Sequence, residues 1–145
     1  MKIEKKLANP KYYGDKRSTS DIKYIVIQTI GNKATPHYYI KESEATQIIP
    51  DEYMSDAVNG ARITRLGKLH GICTKYNSIL VGIPQKLSDT DKETCLKLIM
   101  TLKQRYKISN DDIVRQTDVT GTKNPAEWYD IIKWKSDIKS KLIDV

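Results

Sequence analysis

The segment that decides the fold is Tyr24-Ile25-Val26-Ile27-Gln28-Thr29-Ile30-Gly31-Asn32. Tyr24 to Ile27 are apolar and mostly β-branched, which suits a buried strand, and polar Gln28 follows directly. Gly31-Asn32 then breaks the strand. Folds of the α/β type place their chemistry at the C-terminal ends of such strands, so Gln28 stands where a reactive side chain is expected. A carboxamide does not titrate and is a poor metal ligand. The stretch is the spine of a domain with a chemically inert group at its end.

Working outward, a second run of the same kind, Ile79-Leu80-Val81-Gly82-Ile83 closed by Pro84, predicts another central strand. Between the two, His37–Lys41 and Ala45–Ile49 flank Glu42-Ser43-Glu44 as a hairpin. Pro50-Asp51 ends it, and residues 51–58 have room for a helical turn. Residues 59–76 are loop-like, interrupted by Gly60, Gly67 and Gly71, and long loops are often functional. Further on, Thr90 and Glu93 form a capping box ahead of Cys95, Leu98, Ile99, Leu102 and Tyr106 at helical spacing. Asn110-Asp111-Asp112 caps a short segment to Val114, and residues 115–124 form a loop. Asn124 as N-cap and Pro125 as first helical residue start the last helix, with Ile131, Ile132, Trp134 and Ile138 on its apolar side. Residues 1–21 form an N-terminal arm tacked down by Leu7, Tyr12 and Tyr13. The pattern predicts an α/β fold, a mixed central sheet flanked by helices, as one domain over residues 1–145.

The totals agree. A chain of 145 residues is large enough to bury a core, and 39% hydrophobic with 30% charged residues suits a globular protein. No run approaches the roughly 18 apolar residues of a membrane span. Met1-Lys2-Ile3-Glu4-Lys5-Lys6 carries charge, but no apolar run follows it, so no signal peptide is read and cytoplasmic synthesis is expected. The net charge of +7 suits anionic partners, although lysines spread along the chain are mostly solvated surface. Cys73 and Cys95 are no disulfide framework, and a reduced compartment is the default.

Five pieces in order resemble the type-2 N-acetylmuramoyl-L-alanine amidases, a zinc-dependent family of phage endolysins, bacterial autolysins and peptidoglycan recognition proteins. Tyr24 to Asn32 is similar to that family's "YIVIHYTGN", and Pro36-His37-Tyr38-Tyr39-Ile40 to its "AHYFV". Gln47-Ile48-Ile49-Pro50-Asp51 resembles "QLVPD", Asn77-Ser78-Ile79 resembles "NSIGIE", and Asp118-Val119-Thr120-Gly121 with Pro125-Ala126 resembles "RHYDVTGKNCPA". The resemblance spans residues 22–130 as a family-like core, followed by a C-terminal helix over 125–143. It implies the amidase type-2, peptidoglycan recognition protein-like fold.

Carried over residue by residue, the resemblance puts the family's three zinc ligands on Gln28, Gln116 and Asn124. Its catalytic glutamate falls on Gly82, and the lysine of its last motif falls on Thr122, with Lys123 one place off. Zinc needs three imidazole, thiolate or carboxylate ligands and an open position for water. The metal activates that water and polarises the amide carbonyl, while a carboxylate moves the proton. Two glutamines, an asparagine and a glycine cannot do this. The resemblance therefore implies a pseudo-enzyme with its zinc site lost, no metal and no cofactor. The three amides are expected to converge; hydrogen bonds among themselves would fill the empty metal site, but a site merely patched to keep the fold is the favoured reading.

The remaining candidates are weighed on their residues. His37, Tyr38, Tyr39, Asn59, Asn77 and Lys123 are the candidate substrate-binding residues. A histidine beside a strand is more often packed than coordinating, and tyrosines are as often core with the hydroxyl at the rim. His70 and Cys73 have H-x-x-C spacing, too little alone for a metal site. The leading expectation is peptidoglycan or muropeptide binding without hydrolysis. One alternative is a protein-interaction module regulating phage or cell-wall lysis. The other is an active peptidoglycan amidase with atypical ligands drawn from His37, His70 or Cys73. Nucleic acid and membrane insertion are not expected. The Lys- and Ile-rich composition is similar to that of low-GC bacteria and their phages, and with no signal peptide read, release to the cell wall by a holin-like route is expected.

Overall fold

The computed structural model describes residues 1–30, 35–59 and 67–142. The break expected at Gly31-Asn32 and the glycine at position 60 lie outside them. Six strands form one mixed sheet: β1 (Ile3–Lys5), β2 (Tyr24–Thr29), β3 (Tyr38–Lys41), β4 (Glu44–Gln47), β5 (Ser78–Ile83) and β6 (Ile113–Arg115). Their order is β1-β4-β3-β5-β2-β6. Only β3 and β4 are antiparallel; every other neighbouring pair is parallel.

The opening segment sits in the middle of the parallel part. Ile25, Val26 and Ile27 of β2 are fully buried, between β5 on one side and β6 on the other. A strand covered on both faces needs apolar residues at every position, which is why neither β2 nor β5 alternates. Ile25 and Ile27 face a core shared with Ile79, Val81, Leu98 and Leu102. Val26 and Leu80 face a second core with Val58, Cys73 and Val119. Gln28, two residues beyond Val26, shares that second face.

The first core is closed by α1 (Asp89–Tyr106), which buries Cys95, Leu98, Ile99 and Leu102 as the spacing predicts. Its start differs from the expected Thr90–Glu93 box. Ser88 is the N-cap, its hydroxyl accepting the Asp91 N–H at 3.1 Å. Thr90 and Asp91 instead hold the hairpin turn: Ser43 Oγ donates to Thr90 Oγ1 at 2.6 Å, and Ser43 N–H donates to Asp91 Oδ1 at 2.7 Å. Glu42 and Ser43 have φ of 51° and 64°. Paired left-handed residues twist a two-residue turn to match its strands.

Residues 115–124, expected as a loop, contain α2 (Gln116–Thr120), which starts where Asp118 Oδ2 accepts the Arg115 N–H at 2.9 Å. The final helix α3 (Ile131–Asp137) starts later than expected. Asn124–Pro125 is a cis peptide bond, and Asp130 is the N-cap. Trp128 and Trp134 pack edge to face, with centroids 5.8 Å apart, into the first core.

The N-terminal arm is held differently from the sequence expectation. Leu7 and Tyr12 are half exposed or more, and Tyr13 packs on Tyr53 at 5.2 Å. The main anchor is buried Arg17. Its guanidinium donates to the carbonyls of Asp51 at 3.0 Å, Lys75 at 3.0 Å and Ser78 at 2.6 Å. Ile3 to Lys5 meanwhile pair with Ala45 to Gln47, so the arm supplies the edge strand. No described helix is long and apolar enough to cross a membrane.

Candidate functional site

The C-terminal ends of β2, β5 and β6 are where the sheet gathers the positions singled out by sequence. Register sets them. Gln28 lies opposite Gly82, and Gly82 lies opposite Tyr39, so one row crosses three strands with its side chains on the second-core face. Ile27 pairs with Arg115, which brings Gln116 beside Gln28. Asn124 reaches the same strand end: its Oδ1 accepts Thr29 N–H at 2.7 Å, and its Nδ2 donates to the Thr29 carbonyl at 3.1 Å. The Asn124 carbonyl in turn accepts from Thr117 N–H at 2.7 Å, and Ala126 N–H donates to Thr29 Oγ1 at 3.1 Å.

The positions converge, but the amides do not bond to one another. No hydrogen bond joins Gln28, Gln116 and Asn124. Gln116 is 1% exposed and gives its Nε2–H to the Val58 carbonyl, while its Oε1 is buried without a partner. Asn124 spends both ends of its carboxamide on the Thr29 backbone. The reason is reach. Gln116 and Asn124 each stand next to a backbone group at a strand or turn end, and backbone groups are obligatory hydrogen bonders.

Gly82 explains itself through its neighbour. A Cβ built there would overlap Cδ1 of Ile30 and lie 3.1 Å from Cγ of Pro36. The space beside Gly82 is therefore filled by Ile30, and a larger side chain must displace it. Sequence reading missed both Ile30 and Pro36; nothing in an apolar residue after a strand marks it as a filler.

Three of the candidate substrate-binding residues are structural. His37 is fully buried; its Nε2–H donates to the Tyr53 carbonyl at 2.8 Å, and its Nδ1 accepts the Leu80 N–H at 3.0 Å. That pattern fixes the neutral tautomer. Burial, reinforced by the Arg17 guanidinium at 3.2 Å, holds its pKa down at about 4. Tyr38 is 1% exposed and donates its hydroxyl to Asp51 Oδ1 at 2.8 Å. Asp51 also takes Tyr106 and Arg105, so it is the hub of a buried network that sequence reading took for a strand end. Asn77 precedes β5, at the other end of the sheet, where Oδ1 accepts Thr74 N–H and Nδ2 donates to the Ile72 carbonyl.

Tyr39 and Lys123 stay with the site. Tyr39 is half-buried in the Gln28–Gly82 row, and Lys123 is exposed beside Asn124 with its ammonium 5.4 Å from the Tyr129 ring centroid. Thr122 turns inward to Thr120, with hydroxyls 2.7 Å apart. Asn59 closes a short 3₁₀ turn (Asp56–Asn59), and its side chain lies outside the described residues.

The donors present do not fit zinc. Gln28, Gln116 and Asn124 offer only carboxamides, two of them already committed to backbone partners. Among the described residues no group of three His, Cys, Asp or Glu side chains is placed to hold a metal. His70 and Cys73 do not form a pair: His70 is exposed, while the Cys73 thiol is buried in the second core and pushed up to about 12.

No family model matches the chain, and no curated protein does. Solved structures do. A mutant of PlyL superposes with a TM-score of 0.74 at 23% identity, covering 98% of this chain and 99% of that one. A mutant endolysin from Bacillus subtilis gives 0.72 at 16% identity, over 96% and 97%. The chain has the endolysin amidase fold. The N-acetylmuramoyl-L-alanine amidase LysC from Clostridium intestinale URNW is similar too, with a TM-score of 0.63 at 16% identity over 94% and 96% of the two chains. The amidase-like fold explains why Gln28, Gly82 and the pair Gln116 and Asn124 come together from three separate stretches of the sequence.

Proposed function

We propose that this chain is a catalytically degenerate amidase-like domain that binds peptidoglycan or muropeptide without hydrolysing it. The observation that carries the reading is the state of the strand ends. All three positions that the resemblance assigns to zinc ligands hold carboxamides, and the position assigned to the proton-transfer carboxylate is a glycine filled over by Ile30. Binding rests on half-buried Tyr39 and on Lys123, which offers an exposed ammonium to carboxylates of a wall polymer. The chain's net charge of +7 supports attraction to such a polymer.

The test has two parts. Purified protein exchanged against zinc is analysed for metal content, and the same sample is pelleted with purified peptidoglycan. The reading expects no stoichiometric zinc, salt-sensitive pelleting and no release of soluble muropeptide. Stoichiometric zinc or turnover of peptidoglycan overturns the degenerate reading in favour of an active amidase. Failure to pellet overturns the binding role.

A further inference from the structure

We propose that the groove along the outer edge of β6 is a binding site for an apolar organic anion, a hydrocarbon or aromatic group bearing a carboxylate. The groove is a second site: its cavity of about 530 Å³ is lined by neither Gln28, Gly82, Gln116 nor Asn124. That volume falls in the range of small-molecule sites. Its walls come from three separate parts of the chain, with Leu69 on one side, Ile113 and Val114 from β6, and Ile131 and Trp134 from α3. A neighbouring cavity of about 480 Å³ shares Lys68, Asp118 and Ile131 with it. Ile131 is 45% exposed and Ile132 beside it 77%, so apolar surface continues to the mouth.

The charge at the rim selects the sign of the ligand. Lys68, Lys135 and Lys139 all line the groove, and none of them forms a salt bridge among the described residues. The Lys139 ammonium is half-buried and donates to the Asn110 carbonyl. A half-buried charge acts through less water and is screened less by salt. Two carboxylates also face the groove. Asp118 is held by the Arg115 guanidinium at 3.0 Å, and Asp111 stays exposed. Asp112 also acts on Lys139, so three lysines stand against Asp111 and Asp112, which leaves an excess of positive charge over an apolar floor.

Backbone recognition is closed off. The outward N–H of Ile113 is taken by the Asn110 carbonyl, and that of Arg115 by Asp118 Oδ2 at 2.9 Å. An added strand would find no free N–H on those two residues, so the occupant is recognised by its tail and its charge.

Octanoate is the probe, titrated into the full chain while tryptophan emission is followed, since Trp134 lines the groove. Acetate supplies the charge without the tail, and octyltrimethylammonium the tail with the opposite charge. Saturable octanoate binding is expected, with no comparable effect from either control. Lys135→Glu and Lys139→Glu are each expected to weaken it about tenfold, whereas Lys23→Glu, at the far end of β2, leaves it unchanged. Lys135 is exposed, so its variant carries the test should Lys139→Glu fail to fold. Non-saturating octanoate, equal binding of the cation, or an unchanged affinity in Lys135→Glu overturns the proposal.

Discussion

Asn124 grips the backbone of Thr29 with both ends of its carboxamide, Oδ1 on the N–H at 2.7 Å and Nδ2 on the carbonyl at 3.1 Å. A side chain 95 positions away thus completes the pairing that β2 would otherwise leave open at its end. Only a group with a donor and an acceptor side by side can do this. Asn124→Ala should cost about 1–3 kcal/mol, the loss of two part-buried hydrogen bonds with backbone groups left unsatisfied. Asn124→Asp should be worse at neutral pH than near pH 3, because a carboxylate repels the Thr29 carbonyl while the protonated acid can donate to it. The aspartate's pKa is then raised by folding, and stability falls as pH rises above about 3.9. Urea unfolding at several pH values measures both effects; a pH-independent Asn124→Asp would refute this role.

Gly82 and Ile30 should be coupled. Gly82→Ala forces its new Cβ onto Ile30 and is expected to cost about 1–3 kcal/mol. In an Ile30→Ala background the cost should shrink, so a double-mutant cycle should return a clear interaction energy. Rebuilding a zinc site with Gln28→His, Gln116→His, Asn124→Cys and Gly82→Glu should therefore need Ile30→Ala as a fifth change. Zinc binding by the four-fold variant alone would show that Ile30 is no obstacle.

His37 should make the protein acid-sensitive. Its pKa is held near 4 in the fold by burial, and then by Arg17, against an ordinary value of 6.5. Between those values the unfolded chain binds the proton and the folded chain does not. Stability is therefore full above pH 6.5 and is lost as pH falls toward 4, by roughly 3 kcal/mol at most. His37→Gln should be less stable at pH 7 and flatter across that window. Parallel pH profiles for the two proteins would count against the assignment.

Arg17 should matter more to the arm than its apolar residues do. Arg17→Met removes donors from three backbone carbonyls, two of them buried contacts. It is expected to cost about 3 kcal/mol. Leu7→Ala and Tyr12→Ala, on largely exposed side chains, should stay within about 0.5 kcal/mol. Equal effects from all three would return the anchoring role to the apolar residues.

The parts of the fold legible in sequence were those where burial dictates composition. β2 and β5 are buried on both faces and so carry unbroken apolar runs; the hairpin and the apolar face of α1 follow from short-range spacing. What sequence hid depends on long-range partners. An arginine in a polar arm looks solvated until the carbonyls of Asp51, Lys75 and Ser78 surround it. Asp51 looks like a strand end until Tyr38 and Tyr106 reach it from different elements. The α2 start was missed because Arg115 is not a usual cap residue, although Asp118 three positions on was a signal. Gln28 was marked by the strand end it sits on, and the other site positions were found only through resemblance. Their bonding is local: Gln116 and Asn124 turn to nearby backbone groups and not to each other.

The short strand β1 has a consequence for how this protein behaves at high concentration. Without residues 3–5, the outer side of β4 would present a free ladder to any passing chain. With them, the outermost strand is three residues long and set among Lys2, Glu4, Lys5 and Lys6, a length and charge that disfavour further stacking. The opposite edge is blunted at Ile113 and Arg115, whose amides are already taken. Trimming the first eight residues should thus raise the tendency of the chain to self-associate, even if each molecule keeps its core.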